Sequence, residues 1–189
     1  MKRLVIVEGP DGGGKSTVID GLGLAPRKFR ALRAGVGATA ADGTCSDQAT
    51  EGWAGNRPAV RAYLDQVAAH LSEPIAFDRF HLSEIVYGPM LRAAAGVDAL
   101  ETLAINQTLE ELRVPVIICL PPYEVTLQNV QQPGRERPAF QTEAFLLEAH
   151  HRWTLVRDAL SRYQNVVIFD YTQMTRDSLN LNVEAARMI

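Results

Sequence analysis

Residues 9 to 16 read Gly9-Pro10-Asp11-Gly12-Gly13-Gly14-Lys15-Ser16, which satisfies the pattern G-x-x-x-x-G-K-[ST]. These residue types suit one task. Backbone N–H groups wrap around phosphate oxygens only where small residues permit close approach and unusual dihedral angles, and glycine supplies both. A helix starting at the end of such a loop adds its partial positive charge to the same anion. In this arrangement Lys15 reaches the β- and γ-phosphates of a nucleoside triphosphate, and the Ser16 hydroxyl holds Mg²⁺. The expected triphosphate site is therefore Asp11, Gly12, Gly13, Gly14, Lys15, Ser16 and Thr17. The surroundings agree, because a strand-like apolar run precedes the loop and a segment able to start a helix follows it. The motif by itself does not choose among kinases, GTPases and ATPases.

A second constellation lies downstream. Asp78 and Arg79 follow the apolar run 74–77, placing a carboxylate and a guanidinium at the carboxyl end of a strand, the edge where open α/β sheets bind ligands. An ordinary surface ion pair is the other reading of the same two residues. Trp53 and Arg57 are spaced i,i+4, so one helix face would present a flat ring and a forked donor, although a lone aromatic is as often core. Arg135 and Arg137 sit among Gln, Pro and Gly in 131–138, the composition of a mobile lid. His81, His150 and His151 show no zinc-ligand spacing, and no Ser-His-Asp or Cys-His nucleophile is apparent.

These residues need a scaffold, and the chain supplies a regular one. Short apolar runs at 4–7, 74–77, 114–120 and 166–169 alternate with segments of helical spacing, and 29–32 is a weaker fifth run interrupted by arginines. Runs that are apolar throughout fit a parallel sheet with helices on both faces. Helices are expected over 57–71, 101–112 and 142–163, the last with Thr142 as its cap, whereas 34–55 reads as an irregular connection. With 189 residues and 47% hydrophobic content, a single domain spanning 1–189 can bury such a sheet. A net charge of -3 leaves no basic footprint for nucleic acid, so an anionic ligand must meet a local site. Cys45 and Cys119 lie far apart, Cys119 inside an apolar run, which fits a reducing, cytoplasmic setting. The apolar stretch after Lys2 and Arg3 stops at Glu8, too short for a secretion signal, and no later run is long enough to span a membrane.

Taken in order, these segments resemble the thymidylate kinase family of nucleoside monophosphate kinases. The resemblance rests on Glu8 to Thr17, on Asp78-Arg79-Phe80 followed by Ser83 and Tyr87, on the Trp53 and Arg57 pair, and on Leu120-Pro121-Pro122 leading to Arg135 and Arg137. It covers most of the chain, more weakly at 34–52 and beyond residue 171. The fold implied is a P-loop NTPase: a five-stranded parallel sheet with helices on both faces and a short arginine-bearing lid at about 131–142. The activity implied is transfer of the γ-phosphoryl group of ATP, with Mg²⁺, to a deoxynucleoside monophosphate, and relatives suggest a homodimer. By the same resemblance Asp11 contacts the sugar 3′-hydroxyl, Trp53 stacks on the acceptor base and Arg57 reaches its edge. Tyr87 packs beneath the sugar and excludes a 2′-hydroxyl, Ser83 belongs to the acceptor site, and Arg33 is the approximate counterpart of an arginine after the second strand. Glu84 departs from the pattern, since a carboxylate there accepts from amino or imino groups, which leaves the base open.

A phosphate acceptor is mostly dianionic near pH 7 and needs no strong base. The work falls to cations and fixed N–H donors. Lys15, Arg79, Arg135 and Arg137 are the expected cations, with Ser16 and Asp78 on the Mg²⁺ side. Two alternatives stay open. One is a kinase for a deoxynucleoside or modified nucleotide, where Asp78 or Glu8 would serve as base; the other is a nucleotide-dependent switch without a small acceptor.

Overall fold

The computed structural model describes residues 4–28, 59–92, 97–134 and 138–188. Within them run β1 (Val5–Glu8), α1 (Lys15–Gly21), β2 (Ala25–Lys28), α2 (Ala59–His70), β3 (Ile75–Asp78), α3 (His81–Arg92), α4 (Ala99–Glu111), β4 (Val116–Cys119), α5 (Tyr123–Val130), α6 (Glu143–Leu160), β5 (Val166–Phe169) and α7 (Arg176–Met188). The strands form one five-stranded sheet in the order β2-β3-β1-β4-β5, with every pairing parallel.

Side chains of a strand point alternately to opposite faces, yet β1 and β4 are buried at every position. Helices on both sides explain this. Leu4, Ile6, Phe77, Val116 and Ile118 pack with Tyr63, Leu82, Val86, Leu109 and Trp153 of the helices on one face. Val5, Val7, Ile117 and Phe169 pack with Val18, Ile19, Leu179 and Val183 of α1 and α7 on the other. The expected doubly covered sheet is the one observed.

Among the described residues the second strand is Ala25–Lys28; the run 29–32 expected for it lies outside them. An edge strand need not be apolar, and Ala25, Pro26 and Arg27 are all exposed, so no hydrophobic signal marked it. Pro26 suits an edge, where a missing N–H costs no ladder bond. Helix ends also shift by a few residues. α4 starts at Ala99 because Asp98 and Glu101 form a reciprocal capping box, and Thr142 caps α6 by accepting from the Phe145 N–H at 3.2 Å. Helix α7, Arg176–Met188, itself occupies a stretch for which the sequence reading gives no helix. Among the described residues, no helix is long and apolar enough to cross a membrane.

Candidate active site

Strand order decides what meets what. β1 lies between β3 and β4, and the register sets Val7 beside Asp78, so the loop after β1 and the Asp78-Arg79 turn leave the sheet from adjacent strand ends. The two segments therefore face one groove of about 2050 Å³, lined by Asp11, Lys15, Ser16, Asp78, Arg79 and Tyr171 among others. That exceeds the roughly 300–1,000 Å³ of a single small-molecule site.

The loop after β1 is shaped by what presses on it. Gly9 has a φ of 134°, and a Cβ there would lie 2.2 Å from the Cys119 carbonyl oxygen of β4. Gly12, at φ 79°, backs onto α5, where a Cβ would meet the Thr126 carbonyl at 2.5 Å. Both positions demand glycine for space as well as for backbone conformation. Asn129 of α5 then donates to the Gly12 carbonyl at 2.8 Å and to the Tyr171 hydroxyl at 2.5 Å. The loop is thus tied to α5 and to the segment after β5.

Lys15 is the first residue of α1 and is buried. Its ammonium donates to the carbonyls of Gly9 at 3.1 Å and Pro10 at 2.8 Å, so it points back into the loop it closes. Burial, and then the nearby Arg79 cation, push its pKa down from 10.5 to about 8, against the pull of Asp11 and Asp78. Ser16 and Thr17 are exposed to the groove's side of the helix start.

Arg79 has a φ of 69°, a conformation that costs an L residue about 1–3 kcal/mol and persists only where neighbours enforce it. Its guanidinium forms an ion pair with Asp11, lies 4.9 Å from the centroid of the Tyr87 ring, and reaches the Gly9 carbonyl and the Ser83 hydroxyl, each at 3.4 Å. Tyr87 in turn accepts from the Asp11 N–H at 3.3 Å. Burial raises the Tyr87 phenol above its ordinary pKa, so it stays neutral. Gln141, just before α6, donates to the second Asp11 oxygen at 2.9 Å. Asp11 is consequently the meeting point of Arg79, Tyr87 and Gln141.

Two expected residues have committed side chains. The Ser83 hydroxyl donates to Glu8 Oε2 at 2.5 Å, and Ser83 lies within the first turn of α3, which begins at His81. Glu8 is fully buried and accepts from Phe80, Leu82 and Ser83 N–H groups as well, which removes it as a base facing the groove. Glu84 is buried on the same turn. One oxygen of Asp78, Oδ1, is buried without a hydrogen-bond partner. Asp78 lines the same groove as Ser16, and an orphaned carboxylate oxygen there fits the water shell of a hard cation. Arg33, Trp53, Arg57, Arg135 and Arg137 lie outside the described residues.

Asn129, Gln141 and Tyr171 are the groups that sequence reasoning missed. Two amides and a tyrosine carry no motif; their only signal is proximity, which arises when α5, the residue before the Thr142 cap and the segment after β5 converge on the loop.

No family model matches the chain, and none of the curated proteins matches it in sequence. Solved structures do resemble it. The YorR protein from Bacillus subtilis, in complex with phosphorylated GDP, superposes with a TM-score of 0.63 at 16% identity, covering 96% of this chain and 93% of that one. Deoxyadenosine kinase from M. mycoides with bound dCTP gives 0.55 at 13% identity, covering 98% and 100%. Thymidylate kinase from Candida albicans gives 0.52 at 16% identity, covering 97% and 89%. The fold, a five-stranded parallel sheet wrapped by helices with the glycine-rich loop after its central strand, is the P-loop NTPase fold of these structures.

Proposed function

We propose that this chain transfers the γ-phosphoryl group of ATP to the phosphate of a deoxynucleoside monophosphate. The observation that carries the reading is Arg79: a guanidinium held in a costly backbone conformation, against Asp11 and over Tyr87, across the mouth of the Lys15 loop. A cation placed there lies between donor and acceptor sites and can bridge two phosphates that otherwise repel.

Each residue has a distinct task in this mechanism. The loop N–H groups and the start of α1 hold the donor phosphates, and Lys15 swings from the Gly9 and Pro10 carbonyls onto them. Arg79 leaves Asp11 for the acceptor phosphate, freeing Asp11 to accept from the acceptor's 3′-hydroxyl. Tyr87 beneath the sugar leaves no room for a 2′-hydroxyl. Arg33, Trp53, Arg57 and Glu84 complete the acceptor site, Ser83 backs it through its bond to Glu8, and Arg135 and Arg137 close from the lid and exclude water. Ser16 and Asp78 would hold Mg²⁺, whose charge would offset that of the phosphates. A homodimer in the cytoplasm completes the reading.

The test is ADP release measured across deoxy- and ribonucleoside monophosphates and free deoxynucleosides. The expected result is stimulation by one or more deoxynucleoside monophosphates and little by their ribo counterparts. Phosphorylation of deoxynucleosides alone would transfer the assignment to a deoxynucleoside kinase, with Asp78 as base; no stimulation by any acceptor would favour a nucleotide-dependent switch.

A further inference from the structure

We propose that Glu8 is the positioning residue for Arg79, capping α3 from the neighbouring strand and thereby holding the Arg79 backbone in the conformation that aims its guanidinium across the phosphate loop. This inference rests on the reading of Arg79 as the cation that binds the acceptor phosphate.

The argument begins at the start of α3. The residue before the helix is Phe80, which has no side-chain acceptor for the first helical N–H groups. Glu8 supplies it from 72 residues away: Oε1 accepts from Phe80 N–H at 2.8 Å, Leu82 N–H at 2.9 Å and Ser83 N–H at 3.3 Å. Oε2 accepts from the Ser83 hydroxyl at 2.5 Å. Full burial raises the Glu8 carboxyl above its ordinary pKa, and the Ser83 hydroxyl, the Arg79 cation and the N–H donors at the helix start pull the other way, toward the carboxylate.

Arg79 stands immediately before this turn. Its own N–H donates to the Val7 carbonyl at 3.0 Å, and the next N–H, that of Phe80, donates to Glu8. Val7 and Glu8 are consecutive on β1, so one strand grips the peptide groups on both sides of the Arg79 α-carbon. An arginine at φ 69° relaxes unless both sides are held. Ser83 extends the link to the guanidinium, since its hydroxyl bonds Glu8 and lies 3.4 Å from Arg79 Nη1. Structural glue alone would stabilise α3; this arrangement also sets where a reacting-site cation points.

The experiment is a double-mutant cycle between Glu8→Gln and Arg79→Lys, reading kcat, KM for ATP, KM for the deoxynucleoside monophosphate found active, and thermal stability. Glu8→Gln keeps an oxygen for the backbone donors but removes the charge and turns an amide toward Ser83. A guanidinium displaced by about 1 Å loses on the order of 100-fold in rate. The expected result is a kcat loss of about that size in the wild-type background, with KM for ATP changed by less than about twofold. In the Arg79→Lys background, which has no guanidinium to aim, the same change costs less than about threefold. Equal losses in both backgrounds, an unchanged kcat, or a loss confined to thermal stability would overturn the assignment. If Glu8→Gln does not fold, Glu8→Asp, which keeps the charge and retracts it by one methylene, runs through the same cycle with the same outcomes. An Arg79→Lys enzyme with normal kcat and acceptor KM would instead bring down the reading of the site.

Discussion

Lys15 should make triphosphate binding fail on the alkaline side at an unusually low pH. Its amine is buried against two carbonyls, and burial together with the Arg79 cation brings its pKa down to about 8. A triphosphate bound in the loop sets negative charge beside the ammonium and raises that pKa, so binding takes up a proton wherever the empty site has lost one. Affinity is then nearly constant up to pH 7, about twofold weaker at pH 8, and about tenfold weaker at pH 9. The terminal phosphate of ATP, with a last pKa of about 6, is already ionised and adds nothing to this slope.

Folding responds in the opposite sense, because the folded pKa lies below the model-peptide value of 10.5. Charging the buried amine costs stability below pH 8, and that cost fades as pH climbs from 8 to 10.5. Lys15 therefore makes the empty protein more stable over the range in which it binds nucleotide less well. Calorimetric titration of a non-hydrolysable ATP analogue in two buffers of different ionisation enthalpy measures the uptake directly, and about half a proton is expected at pH 8. Lys15→Met abolishes the uptake, and Arg79→Ala, which removes a repelling charge, moves the break to higher pH. Constant affinity from pH 7 to 9.5, or no uptake at pH 8 in the unmutated protein, would refute the reasoning.

Three further outcomes are expected. Lys15→Ala and Arg79→Ala each lower acceptor-dependent ADP release by about 1,000-fold or more while the far-ultraviolet circular dichroism stays unchanged; a near-normal rate from either removes the proposed mechanism. Gly9→Ala forces a methyl to within 2.2 Å of the Cys119 carbonyl, which is strand backbone and cannot yield, so a loss above about 4 kcal/mol is expected in denaturant titrations. Arg113 ends α4 at a φ of 54°, and Arg113→Gly should gain roughly 1 kcal/mol, raising Tm by about 2–4 °C.

Lys15 donates to carbonyls of its own loop and Arg79 pairs with Asp11, so both cations have partners within the chain. On the proposed reading, phosphates displace these contacts, and the gain is the difference between the two sets of partners. Gln141 adds a third hold on Asp11 from the residue before the Thr142 cap, so the start of α6 is bonded to the loop.

The doubly covered parallel sheet was legible in the chain because β1, β3, β4 and β5 are short apolar runs, a pattern that burial on two faces imposes. The glycine-rich loop was legible because the positive φ at Gly9 and Gly12 is a local demand, although the backbone that presses on both, at Cys119 and Thr126, comes from distant parts of the chain. The edge strand β2 left no such trace, since exposed positions select for nothing apolar. Residue types alone permitted Glu8 to be a base and Ser83 to be a free hydroxyl, and only the alignment of β1 with the start of α3 joined them to each other. Asn129, Gln141 and Tyr171 entered the site in the same way, through bonds that span 42 to 130 residues of sequence. Local conformation is written in neighbouring residues, whereas the partner of a buried charge is settled only when distant segments pack together and exclude water.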